Sequence, residues 1–588
     1  MCGIIGVVSN DQVVWRILKA LKLLEYRGYD SAGIAAIKGN NIKVRKKLGK
    51  LNNLAKNLEE ESLEGNIGLG HTRWVTHGAS KIENTHPIVT KNSAVVHNGI
   101  IENYQELKND LMKAGYKFHG DTDTEVIPNI IDFFQNNGAT LIEAVLLCAS
   151  KLKGAFAIGL LSKSNPDLII AIKQGSPLVI GLDEEKKACY LASDASSISE
   201  FCREVTYLED GQIGILENNQ YKIIDFDGQE VAIKKEKVGN EKSSDLSGFS
   251  SFMLKEIYKQ PKIIKGIIAK YDEQVNQVDF SEVNHIKIIA CGTSMCAGHI
   301  AKLWLEEKYN INTSVEIASE FNTKKNPIIN KGEVFFFISQ SGETADTLAS
   351  LKLVKEHAGY TIGIINNAHS TMAKLVDKLI LIKAGIEIAV AATKTFLAQV
   401  ATFAFISGME IGDLKQSIKL IQQVLKKDKK IYKIVKDVLV NAQKVIFIGR
   451  AISYPIALEG ALKMKELAYI PAEGIAAGEL KHGSIALIDE KTPVVVIAPE
   501  DSSFSKIVSN INEIKARSGK IILIACKKSI EQLRHLCDYA IEVPNYCSEV
   551  TIPFIYTPVL QLIAHHTALL KGNDVDKPRN LAKSVTVE

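Results

Sequence analysis

A chain of 588 residues exceeds the ~100–200 residues of one domain, so several domains and more than one buried core are expected. Hydrophobic residues at 46% and charged residues at 23% exclude a disordered or collagen-like chain. Lys and Arg total 71 against 67 for Asp and Glu, and a net charge of +4 leaves no broad basic field for nucleic acid. The nine cysteines form no CxxC pair and no zinc-like Cys/His spacing, which points to reduced thiols in the cytoplasm and to no metal. The N-terminus, Met-Cys-Gly-Ile-Ile-Gly-Val-Val, lacks the basic and apolar regions of a secretory signal. Neither a dinucleotide fingerprint nor a Walker motif occurs, so no cofactor is expected.

Short β-like runs dominate residues 1–239: 3–8, 33–37, 67–70, 93–97, 155–161, 168–173, 189–192 and 212–216, most of them bounded by turn residues. Segments 13–24 and 101–114 space their apolar residues as helices do, and the mixture predicts an α+β domain of stacked sheets and helices. Residues 240–250 lie in a charged, small-residue stretch without apolar periodicity and form the expected linker. Beyond it, β-branched runs alternate with helical patterns, as in α/β units with parallel sheets.

This second half repeats itself. Residues 287–292 match 444–449, 334–338 match 494–498, 361–365 match 520–523, and 377–381 match 538–542, all at an offset of about 160 residues. Two copies of one α/β unit follow, at 251–428 and 429–588, the second ending in a tail at 571–588. The run 395–411 is apolar apart from Gln399, Glu410 and small polar residues. Its length approaches that of a spanning helix, but as a lone candidate among charged amphipathic segments it reads as a buried helix, and no membrane partner is expected.

Cys2 becomes the first residue once Met1 is removed, and its thiol then adjoins its own α-amine, a base of pKa ~7.7–8.0. A lone Cys is more often a small apolar residue opening a strand. Its neighbours argue for chemistry: residues 70–78 gather Arg73, Trp74, Thr76 and His77, and Asn98-Gly99 closes a β-like run with the groups an oxyanion hole uses. Segment 119–125 brings carboxylates, Asp123 among them, for an ammonium, and Arg73 suits a carboxylate. Together these groups would grip both ends of an α-amino acid.

In the first α/β copy, strand 334–338 runs into Ser339-Gln340-Ser341-Gly342-Glu343-Thr344 and then a helix, and Cys291-Gly292-Thr293-Ser294 follows the preceding strand. Hydroxyls and helix N-termini at one sheet edge suit a phosphate. The equivalent loop of the second copy carries Glu500 and Asp501, which would repel one. That copy instead places Glu459, Lys463 and Glu466 on one helical face, a pattern that by itself favours a solvated charged surface. Its Gly-flanked Glu479, Lys481 and His482 suit proton transfer near neutral pH. The C-terminus, with Pro578, Arg579, Asn580 and Lys583, has anchors that a frayed tail lacks.

These segments closely resemble the glutamine–fructose-6-phosphate aminotransferase (isomerizing) family, or glucosamine-6-phosphate synthases. Met-Cys-Gly-Ile-Ile-Gly, Glu-Tyr-Arg-Gly-Tyr-Asp-Ser-Ala-Gly, His-Thr-Arg-Trp-Val-Thr-His-Gly and His-Asn-Gly-Ile-Ile-Glu-Asn resemble its N-terminal-nucleophile glutaminase. Ser-Gln-Ser-Gly-Glu-Thr, Glu-Leu-Lys-His-Gly and Pro-Arg-Asn-Leu-Ala-Lys-Ser-Val-Thr-Val-Glu resemble its paired sugar-isomerase (SIS) domains. The implied fold is an α+β glutaminase sandwich followed by two α/β SIS domains.

The resemblance implies that Cys2 attacks glutamine, that Asn98 and Gly99 hold the oxyanion, and that Arg73, Thr76, His77 and Asp123 bind the substrate. It implies internal ammonia transfer gated by Trp74, with the sugar phosphate on Thr293, Ser294, Ser339, Gln340, Ser341, Thr344 and Val390. His482, supplied by a second subunit, would assist ring opening, Lys583 would form an imine at C2, and Glu466, supported by Lys463, would move the proton between C1 and C2. The implied partners are glutamine, fructose 6-phosphate and a second copy in a homodimer. Val75, Ala392 and Ser484 depart from the family's usual Ala, Ser and Pro, and only Ala392 removes a hydroxyl near the sugar, worth about 0.5–1.5 kcal/mol. A phosphoribosyl-transferring amidotransferase would need an acidic pyrophosphate loop that the second half lacks, and a non-catalytic sugar-phosphate sensor would not need Cys2, Glu466, His482 and Lys583 together.

Overall fold

The computed structural model describes residues 2–75, 77–185, 187–238, 245–269, 278–546 and 548–586. Thr76, Met1, the last two residues of the tail and positions 240–244 of the expected linker lie outside the described residues. The chain divides into two compact units, Met1–Ser244 with Ala582–Glu588, and Asp245–Leu581.

The first unit holds two antiparallel sheets. One has eight strands in the order Glu236–Lys237, Glu204–Tyr207, Val179–Asp183, Ala188–Ala192, Gly3–Val8, Ile67–Arg73, Ser31–Lys38 and Asn41–Leu48. The other has six, Gln220–Asp225, Gln212–Glu217, Asn165–Gln174, Phe156–Ser162, Ser93–Gly99 and Ile88–Val89. Alternation along Gly3–Val8 separates the layers: Ile5 and Val7 pack with helix Val14–Leu24, while Ile4 and Val8 join Val96, Leu161, Ile169 and Leu216 of the second sheet. Helices Tyr104–Lys113, Val126–Asn136 and Leu141–Lys151 cover the outer face of the second sheet. The result is a helix–sheet–sheet–helix sandwich in which central strands are apolar on both faces. Leu141–Lys151 starts where it does because Thr140 and Glu143 close a capping box on each other's backbone N–H groups.

The second unit contains two five-stranded parallel sheets of the same order. The first runs Asn312–Ile317, His285–Ala290, Glu333–Ser339, Tyr360–Ile365, Lys378–Leu381, and the second Ala472–Ala476, Val445–Gly449, Pro493–Ile497, Lys520–Cys526, Tyr539–Val543. All four matched pairs of the internal repeat fall on equivalent strands. In each sheet the chain order reverses beside the first strand, and the crevice beyond that point is where such sheets hold ligands. Helix Lys394–Ile406 is buried at every position, and no helix of the described residues is long and apolar enough to cross a membrane. Helices Ser453–Ala468 and Ile552–Leu570 pack together in the same core.

Candidate active sites

In the first unit, strand Gly3–Val8 begins directly after Cys2 and pairs Gly3 with Thr72, which carries the chain past Arg73 to Trp74 beside the thiol. Cys2 Sγ lies 3.6 Å from Trp74 O and 3.4 Å from Trp74 N, so the thiol donates to the carbonyl while the sulfur accepts the N–H. Burial pushes the Cys2 thiol up from its ordinary value and keeps it protonated at rest. Asn98, at the end of Ser93–Gly99, donates from Nδ2 to Cys2 O at 3.1 Å. Gly99 has φ +122°, and a Cβ there would lie 1.9 Å from Ala155 O, so only glycine fits beside the amide.

The Asn98 amide is itself held from behind. His71 Nε2 lies 3.0 Å from both Asn98 Oδ1 and His97 O, and since both are acceptors the imidazole carries its proton on Nε2. Burial lowers the His71 pKa to about 3 and keeps the ring neutral. His86 Nδ1 faces the same nitrogen at 3.3 Å, and His97 Nδ1 contacts Thr124 Oγ1 at 2.9 Å.

Arg73 is buried, and its Nη2 donates to the carbonyls of His77 and Gly78. Asp123, buried in the turn Asp123–Glu125, accepts from Ile101 N at 2.8 Å, which ties it to the chain leaving Asn98-Gly99. The other carboxylates of that segment are not equivalent: Glu125 accepts from His119 N and Gly120 N, both at 2.8 Å. His77 meets the edge of the Tyr104 ring at 5.8 Å, and Trp74 is half-buried. Asp30 Oδ2 accepts from Val75 N at 2.8 Å while Asp30 N donates to Arg73 O at 3.0 Å, a two-point clamp on the segment carrying Trp74.

In the second unit, the loops after the first and third strands of the first sheet meet the crevice together. Thr293 and Ser294 occupy the first turn of helix Gly292–Tyr309, and Ser339 through Thr344 lead into helix Ala345–Glu356. Gly342 N donates to Ser339 Oγ at 3.0 Å, Ser339 Oγ and Thr344 Oγ1 are 3.1 Å apart, and Glu343 N donates to Ser341 Oγ at 3.1 Å. Gly342 has φ +66°, and a Cβ there would collide with Ser370. Gln340 is half-buried beside this turn. Val390, 7% exposed, donates its N–H to Asp576 O at 2.9 Å.

On spacing alone the charged face of helix Ser453–Ala468 reads as solvated, but Glu459 and Lys463 are both 0% exposed. Helix Gly292–Tyr309 packs against Ser453–Ala468 and brings Thr293 onto that face. Lys463 Nζ donates to Thr293 Oγ1 at 2.9 Å, pairs with Glu459 at 3.5 Å and hydrogen-bonds Glu466. Burial raises the Glu459 pKa to about 8, while the two carboxylates push the Lys463 ammonium up. His482, ending the turn Ala477–His482, is exposed, and among the described residues no hydrogen bond or ion pair joins it to this cluster. Lys583 is half-buried in the closing segment that counts with the first unit. In the second copy, Glu500 accepts from Ser529 Oγ at 3.0 Å and Asp501 from Ser503 N at 2.8 Å, and in the register of the repeat they stand where the first copy has Gln340 and Ser341.

Sequence reasoning passed over His71, Asp30 and Glu459 as site residues. His71 lies inside the segment singled out at 70–78 and Glu459 on the charged helical face, but their partners are set by sheet register and helix packing.

The glutamine amidotransferase domain family matches residues 71–200, and the SIS domain family matches residues 279–409 and 438–571. A glutamine–fructose-6-phosphate aminotransferase [isomerizing] of Bradyrhizobium diazoefficiens is 42% identical over 615 residues, and one of Rhizobium meliloti 43% identical over 614, each comparison covering 100% of both chains. The solved C-terminal domain of glucosamine-fructose-6-phosphate aminotransferase from Francisella tularensis is 37% identical with a TM-score of 0.54, covering 57% of this chain and 100% of that one. The chain is therefore an enzyme that joins a glutamine amidotransferase domain to a pair of SIS domains. It belongs to the glutamine–fructose-6-phosphate aminotransferase (isomerizing) family, in which glutamine hydrolysis and ketose–aldose isomerisation are combined.

Proposed function

We infer that the chain runs the family's reaction through the residues of these two sites, converting fructose 6-phosphate and glutamine to glucosamine 6-phosphate and glutamate at the head of hexosamine synthesis. Removal of Met1 frees the Cys2 α-amine, which takes the thiol proton as the sulfur attacks the glutamine amide carbon. Asn98 Nδ2 and the Gly99 N–H stabilise the oxyanion, the C–N bond breaks as the proton passes to the leaving ammonia, and water cleaves the thioester to glutamate. Arg73 opposes the substrate carboxylate and Asp123 its ammonium, with Thr76 and His77 completing the grip. Trp74, whose backbone holds the resting thiol, gates the ammonia away from bulk water.

Thr293, Ser294, Ser339, Gln340, Ser341, Thr344 and the Val390 backbone receive the sugar phosphate at the N-termini of two helices. His482, exposed on its own chain, assists ring opening in a second copy, so the working form is a homodimer in the cytoplasm. Lys583 condenses with the C2 carbonyl, releasing water, and ammonia then displaces it. Glu466 carries the proton between C1 and C2, its carboxylate steadied by Lys463.

The observation that carries this reading is the burial of Lys463 between two carboxylates with its third contact on the Thr293 hydroxyl. Stability alone does not favour such a cluster, and its place beside the hydroxyl loops gives it a task. The test supplies fructose 6-phosphate and amide-15N glutamine to wild type and to Cys2→Ala. Mass spectrometry should find labelled glucosamine 6-phosphate from wild type alone. Glutamate release by wild type without labelled sugar would overturn the acceptor while sparing Cys2.

A further inference from the structure

Helix Lys394–Ile406 is buried throughout, and Gln399 near its centre is 1% exposed. A buried primary amide costs ~1–3 kcal/mol unless its donors and acceptor are met. Gln399 Nε2 donates to Ser294 Oγ at 3.0 Å, and its Oε1 has no partner among the described residues. The amide is set with its nitrogen toward the serine. Other polar side chains of this helix are satisfied nearby, Thr402 donating to Ala398 O at 2.8 Å and Thr395 to Glu387 Oε2 at 2.7 Å. Gln399 reaches instead across to the first turn of helix Gly292–Tyr309, where its one bond determines what Ser294 has left to offer.

A hydroxyl has a single hydrogen. With Oγ accepting from Gln399, the Ser294 hydrogen is free for an acceptor, and a phosphate oxygen can only accept. The same polarity recurs around the crevice: Thr293 Oγ1 accepts from Lys463 Nζ at 2.9 Å, and Ser339 Oγ accepts from Gly342 N at 3.0 Å. We propose that Gln399 is a positioning residue for the sugar phosphate, which by donating to Ser294 makes that hydroxyl a dedicated donor to a phosphate oxygen. The proposal rests on Ser294 being part of the phosphate site.

The test replaces the amide by an unbranched apolar side chain of similar volume, Gln399→Met, beside Ser294→Ala and the double variant, in the full-length enzyme at saturating glutamine. Gln399→Met should unfold at the wild-type temperature or above it, because it removes unmet polar atoms from the core. Its KM for fructose 6-phosphate should rise about 10-fold with kcat within about twofold, the pattern of lost ground-state binding. Glutamine hydrolysis without sugar should be unchanged. The double variant should be no worse than Ser294→Ala, since both remove one interaction. If Ser294→Ala raises KM but Gln399→Met does not, or if Gln399→Met lowers kcat and the unfolding temperature with KM intact, the proposal fails while the phosphate site stands. An unchanged KM in Ser294→Ala overturns the reading of Ser294 and the proposal with it.

Discussion

His71, His86 and His97 are 0%, 4% and 2% exposed, and each is held neutral by burial. Their neutrality serves the amidotransferase site directly: a protonated His71 would gain an Nδ1–H where, among the described residues, no acceptor waits, while the neutral ring keeps Asn98 aimed past Cys2. The linkage has a definite sign. His71 has a pKa of about 3 in the folded chain against ~6.5 unfolded. Below pH ~6.5 the unfolded chain therefore binds protons that the folded chain refuses, and stability is complete above that pH and falls toward pH 3. The slope is up to ~1.4 kcal/mol per pH unit for each such histidine. Thermal midpoints measured from pH 7 to pH 4 should drop with glutaminase activity, and a His71→Gln variant, which keeps a donor near Asn98, should flatten the slope. An unchanged slope in that variant would remove His71 from the account.

Among elements, the start of helix Phe252–Ala269 shows how one side chain serves structure and site together. Asp576 accepts from Phe252 N at 2.9 Å and Met253 N at 2.8 Å, capping the helix from far along the chain, while its own carbonyl accepts from Val390 N. Asp576→Ala should cost about 1–2 kcal/mol in urea unfolding, the range for a lost N-cap, and should raise KM for fructose 6-phosphate by loosening Val390. A stability loss with KM untouched would confine Asp576 to capping. Strand legibility follows burial. The run 3–8 reads as a strand because both faces are covered, whereas Asn41–Leu48, with Lys43, Arg45, Lys46 and Lys47, is an edge strand made by its pairing with Ser31–Lys38. Val126–Asn136 was passed over as a helix because its apolar residues run nearly all round its first two turns.

At the scale of the molecule, each unit has cores of its own, the sandwich layers of the first and the sheet-and-helix clusters of the second. A chain ending at Ser244 is therefore expected to fold and to hydrolyse glutamine while forming no amino sugar. Glutamate release assayed beside sugar amination checks this, and an insoluble or inactive fragment would show that the first unit needs the rest of the chain. The duplication explains the asymmetry of the second unit. One pattern of strands appears twice, but the second copy sets the carboxylates Glu500 and Asp501 where the first has Gln340 and Ser341, and those charges would repel a phosphate.

Cys2, Asn98-Gly99, the Ser339–Thr344 loop and the repeat were legible in the sequence because each is a local signal: a residue type, a short spacing, or apolar runs whose strands are covered on both faces. Partnerships were not. His71 meets Asn98 across 27 residues and Gln399 meets Ser294 across 105, through sheet register and helix packing that no local pattern encodes. The charged face of Ser453–Ala468 reads as solvent-exposed by spacing alone, but tertiary packing buries Glu459 and Lys463 and sets Lys463 on Thr293 of helix Gly292–Tyr309. Local chemistry is written in residue type and order, whereas burial and hydrogen-bond partners are properties of the closed core, which tertiary packing alone decides.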